Sequence, residues 1–230
     1  MMPRHLAIGD VHGCLDALLA LVDFVGIRDD DVVVTLGDYV DRGPDTCGVL
    51  DWLIKFDQTH DLVPLRGNHE IMMLEARNDD YGKVRWGKFG GIQALESYED
   101  REGNVTDLSD IPDSHWRFLL NRLLPYYETQ SHIFVHASVD PSEPMTEQSD
   151  HMLFWHQYSK SFPGHVSGKT VVCGHTSQSS GIPITNGHAI CIDTAACRGG
   201  WLTCLDVESG TLWQANQASE TRQMNVSELG

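Results

Sequence analysis

The segment Val32-Val33-Val34-Thr35-Leu36-Gly37-Asp38-Tyr39-Val40-Asp41-Arg42-Gly43 decides the fold. Val32 to Leu36 is a short run rich in β-branched residues, closed by Gly37-Asp38, and reads as a buried strand ending in a turn. The same pattern recurs. His5 to Ile8 runs into Gly9-Asp10, Leu62 to Leu65 into Gly67-Asn68, and Ile133 to Val135 into His136. Thr170 to Cys173 runs into Gly174-His175, and Ala189 to Ile192 ends at Asp193.

Helical spacing lies between these runs: Leu15, Leu18, Leu19 and Val22 up to Gly26, then Val49, Leu50, Leu53 and Ile54 after Asp45. Trp116, Leu119, Leu120 and Leu123 form a third pattern, stopped before Pro125. Strands alternating with helices imply an α/β layered fold. Trp201 to Leu205 and Thr211 to Gln214, around Glu208-Ser209-Gly210, read as a hairpin. Two segments show no regular pattern, Asn78 to Gly91 and Asp140 to Lys169. Long loops of that kind in compact domains are usually functional or mobile. The expected division is a catalytic domain over residues 1–217 and a loose polar tail over 218–230.

The chain of 230 residues is 41% hydrophobic and 21% charged, which suits one sizeable core and excludes general disorder. Its 16 Lys plus Arg against 33 Asp plus Glu give a net charge of −17. Such a surface repels nucleic acid backbones and anionic membranes, so neither is an expected partner. No stretch approaches the roughly 18 apolar residues of a membrane span, and the start is too polar for a signal peptide. A cytoplasmic location is the expectation. The six cysteines form no CxxC pair and read as reduced, buried thiols, not as zinc ligands.

In a layered α/β protein, ligand sites gather beyond the carboxyl ends of the strands. Those ends carry Asp10, His12, Asp38, Asp41, Asn68, His69, His136 and His175. Any one of them has an ordinary explanation, because Gly-Asp is a common turn and a lone histidine is seldom a ligand. Five strand ends that each supply an oxygen or imidazole donor are not independent turns. A set of Asp, Asn and His without Cys suits Mn²⁺ first, with Fe or Zn²⁺ next, over Ca²⁺ or soft metals. Two ions close enough to act on one phosphate, roughly 3.5–4 Å apart, must share a carboxylate, and Asp38 in the central motif is the choice.

Gly9-Asp10-Val11-His12-Gly13, Gly37-Asp38-Tyr39-Val40-Asp41-Arg42-Gly43 and Gly67-Asn68-His69-Glu70 match, in order and spacing, three signatures of one family. The chain thereby resembles the phosphoprotein phosphatases among the calcineurin-like metallophosphoesterases, and within them the small bacterial and phage serine/threonine phosphatases. His136-Ala137 and Gly174-His175-Thr176 are shorter matches. Trp86 to Tyr98 is also similar to a segment of bacterial relatives that include symmetrical dinucleoside tetraphosphatases.

The resemblance implies a β-sandwich of two mixed sheets flanked by helices. It implies two divalent ions, one on Asp10, His12 and Asp38 and the other on Asp38, Asn68, His136 and His175. Two such ions lower the pKa of a shared water, so that hydroxide attacks phosphorus in line with no covalent enzyme intermediate. His69 would protonate the leaving oxygen with Asp41 orienting it, while Arg42 and Asn68 meet the phosphate. Where phage-like relatives carry a second phosphate-gripping arginine in WNRE, this chain has Trp155-His156-Gln157-Tyr158. Arg198, on a Gly-rich loop after Asp193-Thr194, is the expected substitute, ahead of Lys160. His151 and His156 lie in a loop that could cover the site.

The expected activity is a metal-dependent phosphomonoesterase, a protein serine/threonine phosphatase acting on phosphorylated proteins or small phosphate esters. The alternative is a symmetrical dinucleoside tetraphosphatase, which would want an adenine-sized pocket and extra basic residues. A non-catalytic scaffold that binds phosphoproteins ranks last, because decay removes ligands first and every ligand is present.

Overall fold

The structure is a computed structural model that describes residues 3–99 and 107–229. The outermost residues of the two expected segments, 1 and 230, lie outside that description. β1 (His5–Ile8), β2 (Val32–Thr35) and β3 (Asp61–Pro64) run parallel, with Ile8 opposite Thr35 and Thr35 opposite Pro64. This register brings Gly9-Asp10, Gly37-Asp38 and Gly67-Asn68 out at one edge of the sheet. The antiparallel strands β9 (Leu202–Asp206), β10 (Thr211–Ala215) and β11 (Thr221–Asn225) complete a six-stranded sheet in the order β11-β10-β9-β1-β2-β3.

The second sheet has the order β4-β5-β6-β8-β7, from β4 (Tyr126–Glu128), β5 (His132–Val135), β6 (Thr170–Cys173), β7 (Ile184–Thr185) and β8 (Ala189–Cys191). Its central strands β5, β6 and β8 are parallel, and they deliver His136, His175 and Asp193 to one end.

Alternation along the strands makes the sandwich. Ala7, Val34, Phe134, Val172 and Leu205 face inward between the sheets. Leu6, Ile8 and Val33 face outward against α1 (Leu15–Val25) and α2 (Thr46–Phe56), whereas Ile133, Val135 and Val171 meet α7 (Asp150–Trp155). Strands covered on both faces are why these sequences read as continuous apolar runs. α1 buries Ala17, Leu18, Leu21 and Val25 and ends at Gly26 in the left-handed conformation. Asp45 starts α2 by accepting the Gly48 N–H at 2.7 Å. α3 (Asn68–Glu75) and α6 (Asp113–Asn121) complete the cover of the first sheet.

Three segments differ from the sequence reading. Residues 80–86 form α4 (Asp80–Trp86), capped by Asp79 and joined through a wide turn, Gly87–Gly91, to α5 (Ile92–Glu96). Helices of two turns interrupted by glycines present no usable periodicity. In the Asp140 to Lys169 segment, α7 begins at a Ser149 cap, the Ser149 hydroxyl accepting the Met152 N–H at 3.3 Å. The expected loose tail contains the edge strand β11, fully paired to β10. Arg222 anchors it, donating to Gly181 O at 2.6 Å and Gln214 Oε1 at 2.7 Å and stacking on Trp201.

Candidate metal centre

The ends of β1, β2, β3, β5 and β6 converge, and the side chains they carry meet in one buried cluster. Asp38 is central. Its Oδ2 lies 3.4 Å from His12 Nε2 and 3.9 Å from His69 Nε2, while its Oδ1 lies 3.4 Å from His136 Nε2. His12, Asp38 and His69 thus form one group of donors and Asp38, His136 and His175 a second, with Asp38 common to both. Asn68 Oδ1 joins the second group, 2.9 Å from both His136 Nε2 and His175 Nδ1. Asp10 reaches the cluster through His175, whose backbone N–H it accepts at 3.1 Å.

Backbone carbonyls set which nitrogen of each histidine is bare. His12 Nδ1 faces Val40 O at 2.9 Å, His136 Nδ1 faces Leu36 O at 2.9 Å, and His175 Nε2 faces Trp155 O at 3.2 Å. Those nitrogens carry the protons, so the lone pairs of His12 Nε2, His136 Nε2 and His175 Nδ1 point into the cluster. His136 Nε2, His175 Nδ1 and Asn68 Oδ1 are therefore three acceptors within 3.2 Å of one another. Acceptors that close together are a donor set that could hold a cation.

Charge acts in the same direction. Burial holds His12 well below the ordinary imidazole range, His136 at about 4 and His175 at about 3. Burial also lifts the carboxyls, Asp38 to about 7 and Asp10 well above its usual range, where Asp193 and Asp38 add repulsion. Neutral imidazoles and carboxyls that resist ionising are what a buried ligand set shows until cations compensate it.

The backbone is strained to make this cluster. His12, Asp38, Asp41, Arg42 and His175 all have positive φ, from 46° to 74°. Non-glycine residues adopt that region at a cost, and such residues gather at functional sites. Glu70 compensates from within: its carboxylate accepts the backbone N–H of Gly67, Asp38 and Tyr39 at 2.7–2.9 Å. Two glycines permit the approach. A Cβ on Gly67 would stand 2.1 Å from Asp38 Oδ1, and one on Gly174 2.0 Å from Asp10 Oδ1.

Beside the cluster, His69 Nδ1 lies 2.6 Å from Asp41 Oδ2, and the Trp86 indole donates to Asp41 Oδ1 at 2.8 Å. Arg42 Nη1 donates to His12 Nε2 at 2.8 Å. Arg42 also lines an open cavity of about 450 Å³ together with Lys88, Phe89 and Arg198.

Residues 3–196 match the model of the calcineurin-like phosphoesterase family. The chain belongs to that family. It is 28% identical over 216 residues to serine/threonine-protein phosphatase 1 of Salmonella typhimurium, covering 89% of this chain and 93% of that protein. It is 26% identical over 147 residues to the symmetrical bis(5'-nucleosyl)-tetraphosphatase of Wigglesworthia glossinidia brevipalpis, covering 62% of this chain and 47% of that one. Among solved structures, a putative diadenosine tetraphosphatase superposes with a TM-score of 0.66 at 18% identity, covering 98% of this chain and 94% of the other.

As a calcineurin-like phosphoesterase the chain is a hydrolase of a family that implies divalent metal ions, and its His and Asp groups could hold them. Arg42 and Arg198 share one cavity, whereas Lys160 is exposed on a loop whose backbone carbonyl binds Asn186. Gln157, His151 and His156 are likewise exposed. The sequence reading gave no role to Glu70, Trp86, Lys88 or Asp193. Glu70 closes the third motif, so it was visible there. Asp193, buried at the end of β8 with its carboxyl raised by burial, was visible as a sixth strand end. Trp86 and Lys88 were visible only as part of the Trp86 to Tyr98 segment similar to bacterial relatives, because it is the fold of the α4–α5 turn that brings them to the site. Among the described residues, no helix is long and apolar enough to cross a membrane.

Proposed function

We propose that this phosphoesterase is a phosphomonoesterase acting on phosphoserine and phosphothreonine in proteins, with Mn²⁺ as its metal. The observation that carries the reading is His69, held at 2.6 Å by Asp41 with its other nitrogen turned toward Asp38. Asp10, His12 and Asp38 would hold one ion and Asp38, Asn68, His136 and His175 the other. When bound, such ions acidify a water that attacks phosphorus and offset charge on the phosphoryl oxygens.

The chain's own residues supply the rest. Arg42 grips phosphoryl oxygens, and Arg198 on the same cavity takes the part of the absent second arginine. Water forms the new O–P bond, the ester O–P bond breaks, and the leaving oxygen takes a proton from His69 Nε2. Asp41, fixed by Trp86, holds the imidazole in place through that transfer. Similarity over almost the full length of the Salmonella phosphatase supports a protein substrate.

A second reading, hydrolysis of a dinucleoside tetraphosphate, has an observation in its favour. The sequence reading found too few basic residues for a polyphosphate, yet Arg42, Lys88 and Arg198 line one cavity. Turnover of a phosphoserine peptide and of diadenosine tetraphosphate by the Mn²⁺-loaded chain separates the two. We expect kcat/KM for the peptide to be higher by tenfold or more. The reverse order would replace the first reading with the second.

A further inference from the structure

We infer that the turn between α4 and α5 forms a docking groove for the substrate polypeptide, selecting an apolar side chain and an acidic group near the phosphorylated residue. The inference rests on the phosphoprotein reading and names what that substrate must carry beside its phosphate.

The groove is assembled from two cavities that share part of their walls. The first, of about 450 Å³, runs from Arg42 and Arg198 to Lys88, Phe89 and Ile92. The second, of about 380 Å³, continues from Lys88 and Ile92 to Val84, Trp86 and Leu95. Gly87, Lys88 and Ile92 line both, so the same turn borders the cavity of Arg42 and Arg198 on one side and an apolar cleft on the other. The turn is built against the site, for the Gly90 carbonyl accepts the Arg42 N–H at 3.1 Å. Gly90 has φ 114°, and a Cβ there would stand 2.7 Å from Arg42 N. Only glycine seats the turn this closely.

Val84 is 59% exposed, Ile92 56% and Phe89 49%, three large apolar side chains on one short segment. A cluster of that kind beside a site marks a binding surface. Charge states what binds. Among the described residues, neither Lys88 nor Arg198 has an acidic partner within 4.0 Å, although the chain carries a net −17. Unpaired cations lining a groove of a strongly acidic protein draw an anionic ligand and repel none of it. An extended peptide is favoured over a nucleotide, because the walls stay half exposed along the groove, whereas small-ligand pockets enclose most of what they hold.

The test uses Mn²⁺-loaded protein and three variants outside the catalytic cluster, Lys88→Ala, Ile92→Ser and Val84→Ser. Substrates are p-nitrophenyl phosphate, diadenosine tetraphosphate, and phosphoserine peptides with or without a nearby Phe and a nearby Glu. Binding of the Phe- and Glu-bearing peptide in unphosphorylated, fluorescein-labelled form is followed by anisotropy as a readout independent of turnover. We expect the wild type to favour the Phe- and Glu-bearing peptide about tenfold in kcat/KM, through KM. Ile92→Ser and Val84→Ser should remove the Phe preference with unchanged p-nitrophenyl phosphate turnover, and Lys88→Ala should remove the Glu preference, each with weaker peptide binding.

Equal turnover of all peptides, unaltered by the variants, would overturn the groove while leaving the phosphoprotein reading intact. Efficient cleavage of diadenosine tetraphosphate with no peptide turnover would overturn both. Loss of p-nitrophenyl phosphate turnover in all three variants would show that the segment holds the site together without selecting substrates.

Discussion

In the proposed mechanism Asp38 and His69 do different work in the same cluster, and substitutions separate them. The oxygens of Asp38 face opposite groups of histidines, so Asp38→Asn removes a charge that both groups share. Mn²⁺ titration followed by calorimetry should show one site lost, or both weakened by at least the roughly 10–100-fold that loss of an outer partner already causes. Unchanged stoichiometry with unchanged affinity at both sites would assign the shared role to another carboxylate, with Asp10 or Asp193 the next to test. His69→Asn should leave metal stoichiometry intact and lower the rate on a phosphoserine peptide by about 10² to 10⁴. The same variant should lose far less on p-nitrophenyl phosphate, whose phenolate leaves without a proton. Similar losses on both would deny His69 the acid role. These residues were legible because three motifs name them one by one. Glu70 shows the limit: nothing in Gly67-Asn68-His69-Glu70 says that the glutamate reaches back to the N–H groups of Asp38 and Tyr39.

Strands and helices were read with small errors wherever apolar spacing was continuous, as in β1, α1 and β6, and were missed where glycine or a side-chain cap replaced spacing. α4 begins on Asp79, which accepts the Gly82 N–H at 2.7 Å, and seven residues leave too few repeats to register as a helix. The junctions between elements are where packing leaves least room. At the end of β6, Gly174 passes Asp10 so closely that Gly174→Ala should cost about 1–3 kcal/mol by overpacking and weaken Mn²⁺ binding by moving the carboxylate. Thermal melts with and without Mn²⁺ would check both effects, and an unchanged pair of melts would mean the loop yields freely. A second junction binds the end of α1 to the start of β2. The Asp31 side chain is buried and accepts from Arg4 Nε at 2.9 Å and from the Arg28 N–H and Nη2, both at 2.8 Å. Burial works against its charge, but Arg4 and Arg28 together hold its carboxyl well below the usual range. A depressed carboxyl adds stability above its unfolded value near about 4, and that stability is lost as pH falls toward the folded value. Asp31→Asn should therefore cost about 1–3 kcal/mol at pH 7, with the gap to wild type narrowing as both are melted at successively lower pH below 4. A gap constant from pH 7 to pH 3 would mean the carboxylate charge contributes nothing.

The two sheets make the candidate metal centre jointly, because of the proposed ligands the first supplies Asp10, His12, Asp38 and Asn68 and the second His136 and His175. Anything that loosens the inner apolar layer between them therefore reaches the site without touching it. The polar C-terminal segment was read as loose because its composition is that of a tail and its apolar residues are few. Only pairing explains its order. Once Thr221–Asn225 lies along β10, Met224 is turned toward the inner layer, and Val226 and Leu229 follow it there. Deleting residues 218–229 would strip those contacts, free Arg222 from Gly181 and Gln214, and leave β10 as an open edge. Three partly buried apolar side chains at about 1 kcal/mol each give a loss of about 3 kcal/mol, before the hydrogen bonds of Arg222 are counted. For a chain of this length that corresponds to a Tm lower by roughly 6–12 °C, with a tendency to associate through the exposed strand. Calorimetry and light scattering on the shortened protein would measure both. A Tm within about 2 °C of the full chain, in a protein still monodisperse, would show that β11 lies on the sheet without supporting it.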